Sequence, residues 1–332
     1  MKKRGIGIAA SLYPTGMSGG GDSSQAQVKV QPDGSAVLTT GACDIGEGCK
    51  TVLAQMVAEV LGIHYEQVKV INDNTDNCPL SFGTFASRIT YVDGKATVNA
   101  AENARDILFE VAAGMLEASA EELVAEDGNI FVKSSPDRSL SIGEVAGAAT
   151  FGMRKLVVGL GHYMREPSTP DADTGEVDPF CTLAWAAVLA EVEVDTETGI
   201  VDLLRLVASY DVGKAINPLL IEGQIEGGAS MSIGAALSEE LHPNYPSIEN
   251  MPLNLGDYAI PTSMDMPDVE SVIHECPSSN GPFGAKGIGE MTANSPAPAI
   301  INAIHDAVGI WLHELPASPE RILRALDEQG GA

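Results

Sequence analysis

A glycine-rich segment late in the chain carries one carboxylate that could take part in proton transfer. Residues 281–290 read Gly-Pro-Phe-Gly-Ala-Lys-Gly-Ile-Gly-Glu, so Glu290 ends a run with four glycines in nine residues. Such a run excludes a regular helix or strand, because glycine loses much entropy on folding and packs no side chain. Residues 295–308 follow with helical spacing. Glu290 is therefore either an anion that caps this helix or a base held over a ligand.

Further segments have compositions typical of ligand-binding loops. Residues 44–48 (Asp-Ile-Gly-Glu-Gly) precede a predicted helix at Cys49–Leu61, where glycine amides can form an anion site. Residues 83–87 (Gly-Thr-Phe-Ala-Ser) are small and polar. Residues 223–227 (Gly-Gln-Ile-Glu-Gly) lie inside a predicted helix, and Gly19–Gly21 is either an amide source or a simple turn.

These segments resemble the xanthine dehydrogenase and aldehyde oxidase family of molybdenum hydroxylases. In that family a loop of pattern Gly-Pro-x-Gly-x-Lys-x-x-Gly-Glu carries the active-site glutamate, which Glu290 matches. The resemblance covers nearly the whole chain, as the C-terminal molybdopterin-binding part of the family's large subunit. It implies an α+β fold with two pseudo-repeated mixed α/β subdomains. It also implies a molybdenum–molybdopterin cofactor in the cytosine dinucleotide form, with Glu290 as the catalytic base.

The resemblance also assigns cofactor-binding residues. They are Gly46, Glu47, Gly48, Thr84, Phe85, Ala86, Ser87, Gln224, Lys286 and Gly287. Glu47 stands where the family usually has a glutamine, which removes a hydrogen-bond donor, and Phe85 stands where a small residue is common. No side chain is predicted to ligate the metal. Because the chain is poor in bases, we expect the diphosphate of the cofactor to be held by amides at 19–21, 46–48 and 281–289.

Three residues are predicted to face the substrate, namely Tyr13, Phe85 and Arg88. A buried core tyrosine and a structural ion pair are the open alternatives for Tyr13 and Arg88. The implied reaction is hydroxylation of an electron-poor carbon in a nicotinate-like N-heterocycle, with oxygen from water. In the family, glutamate takes the proton of a metal-bound hydroxyl, and hydride passes from the substrate to a sulfido or selenido ligand. The chain is thus predicted to serve an oxidoreductase acting on CH or CH–NH groups.

The amino-acid composition argues against some classes of binding partner. With 46 acidic and 19 basic residues the net charge is −27, which argues against nucleic acid or an anionic membrane surface as a partner. No apolar run is long enough to span a bilayer, and Met1–Arg4 leads directly into a predicted strand, so we expect a cytoplasmic protein. The five cysteines form no C-x-x-C pair, so the chain by itself predicts neither a zinc site nor an iron–sulfur cluster.

Electrons left on the metal would therefore need an external relay. The resemblance implies a split-subunit arrangement with a larger molybdopterin subunit, a [2Fe-2S] subunit and an FAD subunit. In size and layout the chain is similar to the medium molybdopterin subunit of nicotinate dehydrogenases. A split xanthine or purine dehydrogenase or an aldehyde oxidoreductase is the alternative. A non-catalytic cofactor-holding paralogue and a self-sufficient metal enzyme also stay open.

The elements that position these residues follow from the pattern of apolar and turn residues. A predicted β-hairpin at 28–39 precedes the loop at 44–48, and a second one at 192–207 precedes Asp211-Val212-Gly213, which echoes Asp44-Ile45-Gly46. These two similar units predict an internal pseudo-repeat. Residues 166–178 are rich in Pro, Asp and Thr and predict a linker. The predicted domains are 1–165 and 179–332, and the second carries the Glu290 loop.

Overall fold

A computed structural model describes residues 1–18, 21–166, 168–241 and 254–330. The described part contains eleven strands and six α-helices. The strands are β1 (Lys2–Thr15), β2 (Ser23–Val30), β3 (Ala36–Thr40), β4 (Val68–Ile71), β5 (Leu123–Glu126), β6 (Asn129–Val132), β7 (Ser135–Ser141), β8 (Val158–Met164), β9 (Thr182–Asp195), β10 (Val201–Asp211) and β11 (Asp268–His274). The helices are α1 (Cys49–Leu61), α2 (Gly94–Leu116), α3 (Ile142–Gly147), α4 (Pro218–Leu237), α5 (Pro296–Val308) and α6 (Pro319–Gly330).

Two compact units make up the chain, and each uses separate stretches of sequence. Unit 1 comprises Met1–Tyr13, Leu183–Cys276 and Ile288–Ala332, and unit 2 comprises Pro14–Thr182 and Pro277–Gly287. This division differs from a linear boundary at 166–178, because β1 lies beside β9 in the sheet of unit 1 and residues 277–287 pack within unit 2. The linear boundary stays a prediction.

The two units repeat one topology. In unit 2 the strand order is β4-β3-β2-β8, with β2 antiparallel to β3 and β8, and β3 parallel to β4. In unit 1 the order is β1-β9-β10-β11, with β9 antiparallel to β10 and β10 parallel to β11. Unit 2 adds a small sheet, β5-β6-β7. The predicted α+β fold with a pseudo-repeat is therefore confirmed.

The repeat extends to single hydrogen bonds. In unit 2 the Asp44 carboxylate accepts the amide N–H of Gly46 at 2.9 Å. In unit 1 the Asp211 carboxylate accepts the amide N–H of Gly213 at 3.0 Å. Each Asp-x-Gly turn follows a hairpin and leads toward a helix, α1 or α4. The aspartate side chain supplies the acceptor for the turn.

Glycines allow each sheet to lie directly on a helix. A Cβ at Gly159 or Gly161 of β8 would lie 2.0 Å from a backbone carbonyl oxygen of α2. Gly5 and Gly7 of β1 make the same close approach to α5. In unit 1 the inner face of β9 and β10 packs on α4 and α5 in a core of Ala, Val and Ile side chains. Within the described ranges, no helix is long and apolar enough to cross a bilayer.

Candidate active site

Glu290 begins a single helical turn (Glu290–Ala293) in unit 1, ahead of α5. The N-cap position of α5 is Ser295, so the Glu290 carboxylate does not occupy the capping position that was one of its two predicted roles. The Glu290 side chain is exposed in this chain. It accepts a short hydrogen bond from the hydroxyl of Tyr13 at the end of β1.

The Tyr13–Glu290 hydrogen bond brings together two residues that are 277 positions apart in sequence. A phenol that donates to a carboxylate fixes the orientation of that carboxylate, and bonds to ionised groups are stronger than neutral ones. Tyr13 is half-buried, so its ring is anchored while its hydroxyl reaches the turn. The pair has the arrangement expected of a proton acceptor and the residue that orients it.

The turn that carries Glu290 packs against β10 and α4. Thr292 is 1% exposed, and its carbonyl oxygen accepts the Tyr210 hydroxyl of β10 at 3.0 Å. A Cβ at Gly228 of α4 would lie 2.1 Å from Thr292 Oγ1, so only glycine lets α4 approach this closely. Gln224 precedes Gly228 by four residues and therefore shares its face of α4. Unit 1 thus places the predicted cofactor residue Gln224 on the helix face that packs against the Glu290 turn.

In unit 2 the loop at 84–87 has strained backbone. Ala86 and Ser87 both have a φ of 49°, the left-handed region that side chains disfavour. Gly287 packs against this loop, because a Cβ there would lie 1.7 Å from the Ser87 carbonyl oxygen. The Thr84 hydroxyl donates to the Cys43 carbonyl, which ties the loop to residues 43–48. The predicted residues Thr84–Ser87 and Gly287 therefore meet in one place.

Arg88 follows this loop, forms buried ion pairs and does not face a substrate. Its side chain is fully buried, and it pairs at 2.7 Å with Asp22 and at 2.7 Å with Asp93, which are also fully buried. It also donates to the carbonyl oxygens of Gly83 and Ser23, both at 3.0 Å. The predicted substrate role of Arg88 is therefore wrong, and the structural ion pair is the correct alternative.

Several amide N–H groups at and just after the 44–48 loop already donate hydrogen bonds within the chain. The Asp44 carboxylate accepts the amide N–H groups of Gly46, Gly48 and Lys50 at 2.9, 3.4 and 3.2 Å. Although burial opposes it, these amide bonds keep the pKa of Asp44 below its usual value. An anion at the start of α1 would meet this carboxylate, and the amides of Gly46 and Gly48 already have an acceptor, so the phosphate cradle at 46–48 stays a prediction.

Some amide N–H groups of the turn at 281–289 likewise donate hydrogen bonds within the chain. The amides of Gly284 and Ala285 donate to carbonyl oxygens of their own turn, at 3.0 and 2.9 Å. Lys286 is half-buried beside them, and Phe283 takes a left-handed φ of 52°. Gly19 and Gly20 lie outside the described residues. The amide cradle expected for a diphosphate is therefore not formed by Gly284 and Ala285.

Glu47 offers an acceptor that fits a pterin. Its Oε2 accepts the amide N–H of Ile45 at 2.8 Å, whereas its Oε1 is buried, with the Cys49 thiol as a neighbour of the carboxylate. Gly46 nearby has a φ of 114°, and no atom lies within 4 Å of where its Cβ would be. A pterin ring carries N–H donors, so the donor–acceptor chemistry of this site fits that group. A glutamate there accepts hydrogen bonds but no longer donates, unlike the family glutamine.

Asp44, Glu47 and Cys49 also place potential metal-ligand atoms within 4.8 Å of one another. Burial, and next the neighbouring Glu47 carboxylate, raises the pKa of the Cys49 thiol far above its usual value. A thiol that stays protonated is a poor metal ligand. Because Asp44 is held by three amides as well, the cluster carries no assignment as a metal site.

Comparisons with known proteins assign the chain to a family. The model of a family described as the molybdopterin cofactor-binding domain matches residues 1–267. The chain belongs to this molybdopterin-binding family. A probable hypoxanthine oxidase of Escherichia coli is 36% identical over 330 residues, which are 98% of this chain and 32% of the relative. The nicotine 6-hydroxylase large subunit of Paenarthrobacter nicotinovorans is 36% identical over 316 residues, or 92% of this chain and 37% of the relative.

Solved structures of the family share the fold. Quinoline 2-oxidoreductase from Pseudomonas putida 86 matches with a TM-score of 0.85 and 30% identity, over 98% of this chain and 42% of that chain. Aldehyde oxidoreductase from Desulfovibrio gigas matches with a TM-score of 0.80 and 29% identity, over 98% and 33%. The resemblance to the molybdopterin-binding part of molybdenum hydroxylases is thereby confirmed. The chain spans only about a third to two-fifths of the length of these relatives.

Proposed function

We propose that this chain forms the molybdopterin-binding, base-bearing part of a molybdenum hydroxylase that oxidises an electron-poor carbon of an N-heterocycle. The observation that carries the proposal is the Tyr13–Glu290 hydrogen bond on the glycine-rich turn. A carboxylate that is exposed on this chain and yet oriented by a phenol is available to accept a proton. Relatives named for nicotine and quinoline support a heterocyclic substrate.

Each residue has a distinct task in this proposal. The molybdenum cofactor, when bound, supplies a Lewis acid toward water and takes up two electrons. Glu290 Oε atoms accept the proton that water must lose before its oxygen can attack carbon. Tyr13 holds the Glu290 carboxylate in one orientation through its hydroxyl. General-base catalysis of this kind contributes about 10²–10⁴-fold to the rate.

Other residues of the chain hold the cofactor. Gln224, on the face of α4 that meets the Glu290 turn, has both an amide donor and an acceptor for the pterin. Glu47 would offer its buried Oε1 to a ring N–H. In unit 2, the loop at 84–87 and residues 286–287, where Gly287 lies against Ser87, would offer backbone groups to the cofactor. Phe85 is 39% exposed and would contact the substrate.

The complete enzyme requires more than this chain. Relatives named as subunits of dehydrogenase complexes support partners, including the gamma subunit of the 6-hydroxypseudooxynicotine dehydrogenase complex from Paenarthrobacter nicotinovorans. We assign the partners as a larger molybdopterin subunit, a [2Fe-2S] subunit and an FAD subunit, and the cofactor as the cytosine dinucleotide. Nicotinate is the first candidate substrate. Relatives named for hypoxanthine and xanthine favour a purine as the second.

Metal and pterin analysis of the complex isolated from its source tests the proposal. We expect one molybdenum and one molybdopterin per copy of this chain, and turnover of nicotinate or of xanthine with an artificial electron acceptor. A complex that contains molybdenum and pterin but oxidises no heterocycle or aldehyde would favour a non-catalytic paralogue. A complex without either group would refute the proposal.

A further inference from the structure

The edge strand β1 turns its larger side chains away from the core of unit 1. A Cβ at Gly5 would lie 2.2 Å from the carbonyl oxygen of Ala303, and one at Gly7 would lie 2.1 Å from that of Ala299. Neither position tolerates a side chain, so the strand cannot turn over. Ile6 and Ile8 are thereby fixed on the opposite face, where they are 53% and 62% exposed.

The neighbouring strands continue this apolar surface. On β9, Trp185 is 63% exposed, whereas Ala184 and Ala186 on either side of it are 0% and 3% exposed. On β11, Val272 is 39% exposed and pairs with Ser209 of β10. We name this surface the outer apolar face, and its residues are Ile6, Ile8, Leu12, Trp185 and Val272. Exposed apolar side chains grouped on one face of a sheet often mark an interaction surface.

Paired charges border the outer apolar face at one end. Lys2 and Arg4 of β1 lie 2.8 and 3.1 Å from the Glu193 carboxylate of β9. Arg205 of β10 pairs with Glu270 of β11. These pairs keep the charges of Lys2, Arg4 and Arg205 compensated when the face is covered. An apolar centre with a paired polar rim is the usual anatomy of a protein interface.

In unit 2 the strand that corresponds to β9 has a polar outer face. This strand, β2, occupies the position that β9 has in unit 1. On β2 the residues Gln25 and Lys29 are exposed and Gln27 is half-buried, while Ala26 and Val28 face the core. Strand β2 thus carries polar residues on the face where β9 carries Trp185, whereas β8 beside it exposes Leu160 and Met164.

We infer that the outer apolar face docks the polypeptide that corresponds to the rest of the relatives' molybdopterin-bearing chain. This inference rests on the proposed function and names the surface used by one of its partners. The matching part is 42% of the quinoline 2-oxidoreductase chain and 32% of the probable hypoxanthine oxidase, so the relatives carry more than half of their length beyond it. A second copy of this chain is disfavoured as the occupant, because its net charge of −27 opposes self-association.

Binding between two polypeptides tests the inference. The full chain and the polypeptide from the same source that matches the remainder of the relatives are purified separately, and the dissociation constant is measured by titration calorimetry. Trp185→Ala is expected to weaken binding by about 30-fold or more, the effect of a central aromatic contact. Ile8→Glu should prevent formation of the complex. Ile200→Glu is the matched control, because Ile200 is 51% exposed in the turn between β9 and β10 and should bind as the unaltered chain does.

Thermal unfolding of each variant alone shows whether it is folded. Trp185→Ala only truncates an exposed side chain, so the test stays valid even if Ile8→Glu is unfolded. Binding unaffected by Trp185→Ala overturns the inference. So does a homodimer of this chain that Trp185→Ala dissociates while the two-polypeptide complex persists. A complex that contains molybdenum and pterin but is insensitive to Trp185 contradicts the docking surface and leaves the proposed function intact. A Trp185-dependent complex without molybdenum supports the surface and contradicts the function.

Discussion

Replacing Arg88 by methionine should strongly destabilise unit 2. The guanidinium is fully buried and lies 2.7 Å from each of two fully buried carboxylates, Asp22 and Asp93. Removing one partner of such a group leaves buried charge uncompensated, which costs about 3–5 kcal/mol. For a unit of this size each kcal/mol lowers the melting temperature by roughly 2–4 °C. We therefore expect the melting temperature of Arg88→Met to fall by roughly 6–20 °C.

The loss should also depend on pH with a defined sign. Burial raises the pKa of Asp93 above its usual value even though Arg88 acts in the opposite direction. A carboxyl whose pKa is higher in the folded state makes the protein less stable as pH rises from the unfolded pKa through the folded one. Without Arg88 this pKa rises further. The stability deficit of Arg88→Met should therefore be larger at pH 8 than at pH 5.

Urea unfolding followed by circular dichroism at both pH values measures this effect. Lys155→Met serves as the control, because Lys155 pairs with Glu110 at the surface, where their side chains are 35% and 70% exposed. Loss of a surface pair costs no more than about 1 kcal/mol. The reasoning is refuted if the free energy of unfolding of Arg88→Met at pH 8 lies within about 1 kcal/mol of that of the unaltered chain.

Two further substitutions address the site directly. Tyr13→Phe removes the hydroxyl that orients Glu290, so kcat should fall by about 10–100-fold at unchanged molybdenum content, as expected for one charge-assisted hydrogen bond; steady-state kinetics that show no change would exclude the orienting role. Gly287→Ala places a Cβ 1.7 Å from the Ser87 carbonyl oxygen, so the two loops must separate and the amount of bound pterin should decrease. The pterin is released from the protein and measured by fluorescence, and an amount equal to that of the unaltered chain would contradict this.

Elements with a clear start or stop signal were predictable from sequence. The predicted bounds of α1, Cys49–Leu61, agree with the structure, since the glycine loop before the helix and its regular apolar spacing mark where it begins and ends. Strand β8 was missed because its residues Gly159 and Gly161 favour loops when read locally. Those glycines are explained only by the helix backbone of α2, which lies against them.

The chemistry of individual side chains was less predictable, because it depends on contacts between distant residues. A lone arginine after a polar loop has the same sequence signal whether it is exposed or, like Arg88, buried between two aspartates. Asp44 was missed as the acceptor of three amides, although its Asp-x-Gly spacing is a signal for such a turn. The hydrogen bond between Tyr13 and Glu290 has no local signal, since it depends on β1 lying in the same unit as the turn.

The most direct test of the central claim is the turnover of Glu290→Gln in the molybdenum-containing complex. Glutamine keeps the size and hydrogen-bonding capacity of the side chain but cannot accept a proton at neutral pH. We predict unchanged molybdenum and pterin content and a fall in kcat of about 10²–10⁴-fold. Turnover within about threefold of the unaltered complex, at equal molybdenum content, would show that Glu290 is not the base.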